Sequence, residues 1–145
     1  MPDCLFCGIV AGGVPAFKVV DRPEGIGFLD IRPVFKGHVL VVPRPHVPQL
    51  VDLGAELLPG FFALVQEVAG AVPRALGAAG TFVAMNNVVS QSVPHLHAHV
   101  VPRTKGDGLR GFFWPRTKYG SDAEAAAYAE RIGKDLGYAG VTSGG

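Results

Sequence analysis

Three of the five histidines stand at alternate positions in the stretch VPHLHAHVV, residues 93–101, as His95, His97 and His99. Alternation is the period of a β-strand, so the three rings are expected on one face and the apolar residues between them on the other. A buried imidazole without a hydrogen-bond partner costs about 1–3 kcal/mol. The regular spacing inside the chain therefore favours chemistry over a half-exposed strand whose polar side simply faces water.

Two chemistries use clustered histidines. One is a catalytic metal ion with three imidazole ligands and an open position. The other is covalent catalysis, in which a neutral imidazole attacks an electrophile such as phosphorus while neighbouring groups fix its tautomer. Same-face side chains on a strand lie about 6–7 Å apart, whereas the ligands of one zinc ion must each approach it to about 2 Å. A single straight strand converges poorly on one ion, which favours the nucleophile.

Composition narrows the class of protein. The chain has 145 residues, 48% of them hydrophobic and 17% charged, which is typical of one compact domain spanning 1–145. The net charge is +1 and no basic run occurs, so we expect neither a nucleic acid nor a membrane as partner. No secretory signal or 18-residue apolar run is present, so we expect a cytoplasmic location. There the two cysteines stay reduced, which favours a metal or redox role over a disulfide.

Periodicity predicts the elements that must position these residues. Apolar spacing of three or four predicts one long helix over 55–76, kinked or split near Pro73. Ser121 and Glu124 form a capping box that opens a C-terminal helix to residue 136, after a loop over 104–118. A short helical turn is predicted over 4–11, and strands over 17–20, 27–30, 37–42, 81–85 and 95–101. The fold class is α+β, with a mostly antiparallel five-stranded sheet.

Several ordered motifs in the first hundred residues resemble one family. They are CLFC at 4–7, FLDIRP at 28–33, GHVLVVP at 37–43, His46, QSV at 91–93 and HLHAHVV at 95–101. Together they resemble the histidine triad (HIT) proteins, whose signature is three histidines alternating with apolar residues. The resemblance implies a HIT-like fold, commonly as a homodimer. It also implies a nucleotide hydrolase or transferase that attacks the α-phosphorus of a nucleoside phosphate derivative through a nucleotidyl-histidine intermediate.

The resemblance also implies a role for individual positions. His97 matches the nucleophile, His99 and His38 lie near the phosphate, and Asp30 matches the carboxylate that binds the ribose hydroxyls of a purine nucleotide. The base pocket is matched by Phe6, Ile9, Phe28 and Ile31, and the polar groups around the phosphates by Asn86, Gln91 and Ser92. From the residues alone, two competing interpretations stay open: the apolar side chains belong to the core, and Asp30 caps a turn.

Some HIT proteins carry zinc, and the resemblance implies a structural zinc site at Cys4, Cys7, His46 and His95. Two thiolates and two imidazoles form a closed tetrahedral set. A redox role for the C-x-x-C pair is the competing interpretation, although such motifs normally follow a strand, and unliganded thiols are a third. No organic cofactor is expected.

One stretch departs from the family pattern. HIT chains commonly have a glycine after the asparagine pair and another before the glutamine, whereas residues 86–91 read NNVVSQ. Glycine lets backbone amides approach a phosphate closely. Three hypotheses therefore stay open. The first is an enzyme that cleaves AMP from a phosphoramidate or dinucleoside polyphosphate, and the second, motivated by this loop, is a nucleotide sensor or interaction module with little turnover. The third is metal-dependent hydrolysis with zinc at the triad itself.

Overall fold

The computed structural model describes residues 3–109 and 116–138. The chain divides into two compact units, Met1–Asp107 and Gly108–Gly145. The first contains the sheet and the predicted site residues. Part of the predicted loop over 104–118 lies outside the described residues.

The first unit is built on a five-stranded sheet in the order β1-β2-β3-β5-β4, with every neighbouring pair antiparallel. The strands are β1 Lys18–Arg22, β2 Gly25–Leu29, β3 Val39–Val42, β4 Gly80–Ala84 and β5 Ala98–Arg103. The predicted α+β fold class and antiparallel sheet are confirmed. The nearly unbroken apolar run of β3 is explained by its position, because it is the middle strand and is buried along its whole length.

Helices cover both faces of the sheet at β3. Val39 and Val41 belong to the core under the long helix α2, Leu58–Leu76, whereas Leu40 and Val42 belong to the core under the short helix α1, Leu5–Val10. Successive strand residues point to opposite faces, which explains this division. The side chains of α2 in the core are Phe61, Leu64, Val65, Val68 and Val72.

The long helix runs through Pro73 without being split there. The 3₁₀ turn Ala55–Leu57 precedes it, so the predicted start is three residues early for the α-helix itself. It ends at Gly77, whose φ of 70° is left-handed and whose N–H donates to the Pro73 carbonyl at 2.9 Å. The span Ala55–Leu76 is long and apolar enough to cross a membrane, but its core residues pack on the sheet, as in the core helix of a globular domain.

The prediction that all three triad histidines stand on one strand is wrong, because β5 begins only at Ala98. The Leu96 N–H donates to the Val47 carbonyl at 2.7 Å, and the ladder with β3 starts where Ala98 pairs with Val41. The alternation nevertheless holds in the extended segment before the strand. Leu96, Ala98 and Val100 are all fully buried in the core under α2.

The second unit contains helix α3, Asp122–Asp135. The hydroxyl of Ser121 accepts from the Glu124 N–H at 3.1 Å, as the capping box predicts. The second half of the predicted capping box is not formed, because the Glu124 carboxylate accepts from the Gly120 N–H at 2.7 Å and not from the N–H of the N-cap Ser121. The helix ends at Asp135 with Leu136 as its C-cap, and residues 139–145 are outside the described range.

Candidate active site and adjoining metal centre

A cavity of about 430 Å³ opens between α1, the end of β2 and the segment that leads into β5. It brings together eight of the residues singled out from the sequence. These are Phe6, Ile9, Phe28, Asp30, Ile31, Ser92, His97 and His99. Phe6, Ile9 and Phe28 are buried, whereas the Ile31 side chain is 81% exposed at the rim. The cavity therefore combines an apolar floor with imidazole, carboxylate and hydroxyl groups.

His97 is held in one tautomer by the backbone. Its Nδ1 lies 2.8 Å from the His95 carbonyl oxygen, which can only accept, so Nδ1 carries the proton. Nε2 is then left with its lone pair, and no group among the described residues bonds it. The Phe6 ring packs edge-to-face against the imidazole, with centroids 5.1 Å apart. An imidazole fixed in this way can act as a nucleophile through Nε2.

His38 and His99 form a directional hydrogen-bond chain. The Val34 N–H donates to His38 Nδ1 at 3.1 Å, so the proton of His38 is on Nε2. That Nε2–H donates to His99 Nδ1 at 3.0 Å. His99 then carries its own proton on Nε2, where no described residue accepts it. This N–H is a donor available to a ligand in the cavity.

Burial keeps both of these imidazoles neutral. Desolvation is the largest cause that lowers the pKa of His99, to about 4, with His97 and His38 adding to the effect. Desolvation also lowers the pKa of His38, although the nearby Asp30 carboxylate opposes the shift. The hydrogen-bond chain requires neutral rings, because His38 and His99 each accept a hydrogen bond at Nδ1 and carry their proton on Nε2.

Asp30, His38 and His99 also lie close enough together to be considered as metal ligands, with ligand atoms within 4.8 Å. Their hydrogen bonds argue against that use. An ion at His38 Nε2 would have to replace the proton shared with His99, and one at His38 Nδ1 would have to displace the Val34 N–H. The observed contacts therefore favour a hydrogen-bond chain at the triad.

Asp30 caps a turn and also lines the cavity. Its Oδ1 accepts from the Arg32 N–H at 2.8 Å, which caps the turn after β2. Its Oδ2 lies 3.7 Å from His38 Nδ1, beyond hydrogen-bond length, and the carboxylate lines the cavity. Lone pairs on both oxygens thus remain for a ligand.

Asn86 and Gln91 do not line the cavity, whereas Ser92 does. The Asn86 amide donates to the Ser90 carbonyl at 3.2 Å. The Gln91 amide donates to the Pro48 carbonyl, and its oxygen accepts from the Val88 N–H at 3.1 Å. Both side chains, predicted from the resemblance to contact phosphates, brace their own loop.

The same loop contains two residues with left-handed backbone, Val88 at φ 71° and Ser90 at φ 60°. These are the positions after the asparagine pair and before the glutamine, where the family commonly has glycine. A β-branched residue rarely adopts this conformation. The loop thus has a backbone conformation that suits glycine, although Val88 and Ser90 both disfavour that conformation.

The second cluster contains Cys4, Cys7, His46 and His95, whose ligand atoms lie within 4.8 Å of one another. Cys7 Sγ is 3.2 Å from His46 Nδ1 and 3.5 Å from His95 Nδ1, and Cys4 Sγ is 3.6 Å from His95 Nδ1. Two sulfurs and two imidazole nitrogens are the donor set of a closed tetrahedral zinc site.

His95 is oriented for ligation. Its Nε2 lies 2.9 Å from the Pro43 carbonyl, so Nε2 carries the proton and Nδ1 directs its lone pair at the sulfurs. Burial lowers the pKa of His95 and raises that of the Cys7 thiol. A neutral imidazole suits a metal, while the thiols must lose their protons when it binds. The residues present fit zinc.

The partners that set the tautomers were missed by sequence reasoning. They are the Val34 N–H and the carbonyls of Pro43 and His95. Every residue carries a carbonyl and every residue except proline an N–H, so no residue type marks these partners. Arg32 and Val93, which also line the cavity, stand inside the FLDIRP and QSV motifs, but sequence reasoning assigned no role to either side chain.

Comparison with known proteins supports this picture. The HIT-domain family model matches residues 11–106. The adenosine 5'-monophosphoramidase of Schizosaccharomyces pombe is 33% identical over 136 residues, covering 92% of this chain and 98% of that protein.

Two solved structures are also similar. A member of the HIT family from Bacillus subtilis superposes with a TM-score of 0.82 at 32% identity, covering 91% of this chain and 96% of that one. A zinc-bound histidine triad family protein from Mycobacterium smegmatis has a TM-score of 0.71 at 36% identity, covering 92% and 98%.

Proposed function

This chain belongs to the histidine triad family of nucleotide hydrolases and transferases, and we propose that it cleaves a nucleoside monophosphate, AMP in the first instance, from a phosphoramidate or dinucleoside polyphosphate. The observation that carries the proposal is the fixed tautomer of His97. Its Nδ1–H is committed to a backbone carbonyl, and its free Nε2 belongs to a cavity with an apolar floor.

In the proposed reaction, His97 Nε2 attacks the α-phosphorus, a P–N bond forms and the bond to the leaving group breaks. The leaving group departs with a proton from the ligand or solvent. The His95 carbonyl stabilises the positive charge that develops on the ring. Water then attacks the phosphorus and gives up one proton to solvent, the P–N bond breaks and AMP is released, which returns His97 to its starting tautomer.

The other cavity groups supply binding and charge stabilisation in this scheme. The His99 Nε2–H donates to a phosphate oxygen, and the Ser92 hydroxyl is a further donor in the same cavity. Asp30 accepts from the ribose hydroxyls. The purine base packs between the floor formed by Phe6 and Phe28 and the exposed rim residue Ile31.

The test is a brief incubation with AMP-phosphoramidate and diadenosine polyphosphates, followed by intact-mass detection of the protein. We expect an AMP adduct on the parent that is stable in alkali and lost in acid, and none on His97→Ala. AMP binding by calorimetry serves as the control that His97→Ala still folds. Parental turnover by His97→Ala would refute the proposal.

A second candidate is a nucleotide sensor with little turnover. It is favoured by the loop over 86–92, in which the Asn86 and Gln91 side chains are bonded within the protein. Calorimetry that detects AMP binding, with no hydrolysis and no adduct across the substrate panel, would select this candidate.

We also propose that Cys4, Cys7, His46 and His95 hold a structural zinc ion. When bound, the ion stabilises the fold. The donor set and the zinc-bound relative support the assignment. Elemental analysis of the purified protein should give about one zinc per chain, and Cys4→Ser should lose it together with stability to unfolding.

The remaining proposals concern assembly and location. We propose a cytoplasmic homodimer that acts on a small-molecule purine nucleotide, with no nucleic acid, membrane or organic cofactor involved. β4 is an edge strand, and Phe62 on α2 is 40% exposed, which supports an interface between copies on that side. Light scattering after size-exclusion chromatography tests the assembly.

A further inference from the structure

Helix α1 contributes to both clusters of chemistry-bearing residues. Cys4 is its N-cap and Cys7 lies in its first turn, with the Cys7 N–H donating to Cys4 Sγ at 3.4 Å. Phe6, between the two cysteines, contacts the His97 ring and also the Phe28 ring, whose centroid is 5.3 Å away. One turn of helix thus places two metal ligands on one side and part of the nucleotide pocket on the other.

The position of α1 depends on its tertiary contacts. A helix of six residues is unstable in isolation, because its few hydrogen bonds do not offset the entropy lost in forming the first turn. Its polar links to the rest of the unit run from Cys4 and Cys7 to His46 and His95. A metal ion would replace these long thiol contacts by bonds of about 2.0–2.3 Å and fix the helix on the sheet.

His95 provides a second connection between the two clusters. Its side chain is fully buried, with Nδ1 facing the cysteines and Nε2–H bonded to Pro43. Its own backbone carbonyl accepts the proton of His97 Nδ1. A metal that holds the His95 side chain therefore also holds the carbonyl that orients the nucleophilic ring.

We propose that the metal centre and the nucleotide pocket are thermodynamically coupled through Phe6 and His95. Metal binding raises the affinity for nucleotide, and nucleotide raises the affinity for metal by the same factor, as linkage requires. Phe6 and His95 are positioning residues in this scheme. The inference rests on the proposed function for the identity of the pocket's ligand.

The experiment measures both directions of the coupling. AMP affinity is determined by calorimetry for zinc-loaded and chelator-stripped protein, and zinc affinity by competition with a chromophoric chelator, with and without saturating AMP. Coupling between two sites is typically 5-fold to 150-fold. We expect the two ratios to agree within error and to fall in that range. Ratios below about twofold would overturn the proposal.

Two variants on α1 test the route. Phe6→Ala removes the ring that contacts His97, so the coupling ratio should fall to less than about half of its parental value. Val10→Ala also removes packing from α1, but Val10 does not line the cavity, so its ratio should stay at the parental value. Equal ratios in both variants would show that Phe6 does not transmit the coupling.

Two further readouts separate the possible failures. Circular dichroism of the stripped protein must retain the sheet, since loss of the entire fold would mean that the metal holds the whole unit and would overturn the inference. If AMP binds neither form, the proposed function fails, and ¹⁵N spectra of the His97 ring decide the coupling. A fixed Nδ1–H tautomer only in the loaded form supports it, and identical spectra refute it.

Discussion

The acid sensitivity of folding should depend on His99. In the folded protein, burial lowers the pKa of His99 from its ordinary value of 6.5 to about 4. Between the two pKa values, His99 is protonated in the unfolded chain but not in the folded chain, so the free energy of unfolding falls as the pH falls. The stability that comes from the lowered pKa of His99 is fully present above pH 6.5 and is lost progressively towards pH 4. From the two pKa values, the loss between pH 7 and pH 5 is about 2 kcal/mol, rising to about 3 kcal/mol at pH 4.

The matched variant is His99→Asn. An Asn side-chain oxygen takes the place of Nδ1 and accepts from His38 Nε2–H, so the hydrogen bond is kept while the titration is removed. Urea unfolding of parent and variant in the same buffers cancels the effect of acid on other titrating groups, including the cysteines and histidines of the proposed metal centre. The variant should lose about 2 kcal/mol less stability than the parent between pH 7 and pH 5. Equal losses would refute the conclusion that His99 is held neutral by burial.

Three further substitutions test separate features of the structure. Val88→Asn should raise the free energy of unfolding by about 1 kcal/mol, because Asn tolerates a left-handed backbone, whereas Val89→Asn, at ordinary φ, should not. Leu96→Ala should lower the free energy of unfolding by about 2–5 kcal/mol, since the Leu96 side chain is fully buried. Urea titration measures the change in stability at both positions. Asp30→Asn should weaken AMP binding by about tenfold or more in calorimetry, because the charged acceptor for the ribose is lost; unchanged affinity would remove Asp30 from the proposed site.

The sheet and the long helix were predictable because each buries residues at its own characteristic period. Leu96, Ala98 and Val100 alternate into the core as expected, and the core residues of α2 recur every three or four positions. The start of β5 was not predictable. It depends on whether the Leu96 N–H bonds to β3 or to the Val47 carbonyl, a choice made by a distant segment of chain.

The departures from the family pattern in the loop over 86–92 have a physical explanation that the composition of the loop does not show. A missing glycine suggests that the left-handed backbone is missing too, yet Val88 and Ser90 retain it. The bonds that Gln91 makes to Val88 and Pro48 stabilise this conformation, which otherwise costs about 1–2 kcal/mol for each residue without glycine. The Gln91 amide that makes these bonds is the same group that the family resemblance places near the phosphates. While it makes both bonds it braces the loop, and Gln91 does not line the cavity.

The roles of the histidines are decided by backbone atoms. Three imidazoles at alternate positions contain no information about which nitrogen holds a proton, and either tautomer is available to each in water. The Pro43 and His95 carbonyls put the protons of His95 on Nε2 and of His97 on Nδ1, while the Val34 N–H forces that of His38 onto Nε2. Successive histidines of one motif therefore leave opposite ring nitrogens without a proton, Nδ1 in His95, which faces the cysteine sulfurs, and Nε2 in His97, whose ring lines the cavity. The same residue type can then serve the proposed metal ligation and the proposed nucleophilic attack two positions apart, because backbone hydrogen bonds fix each tautomer before any ligand binds.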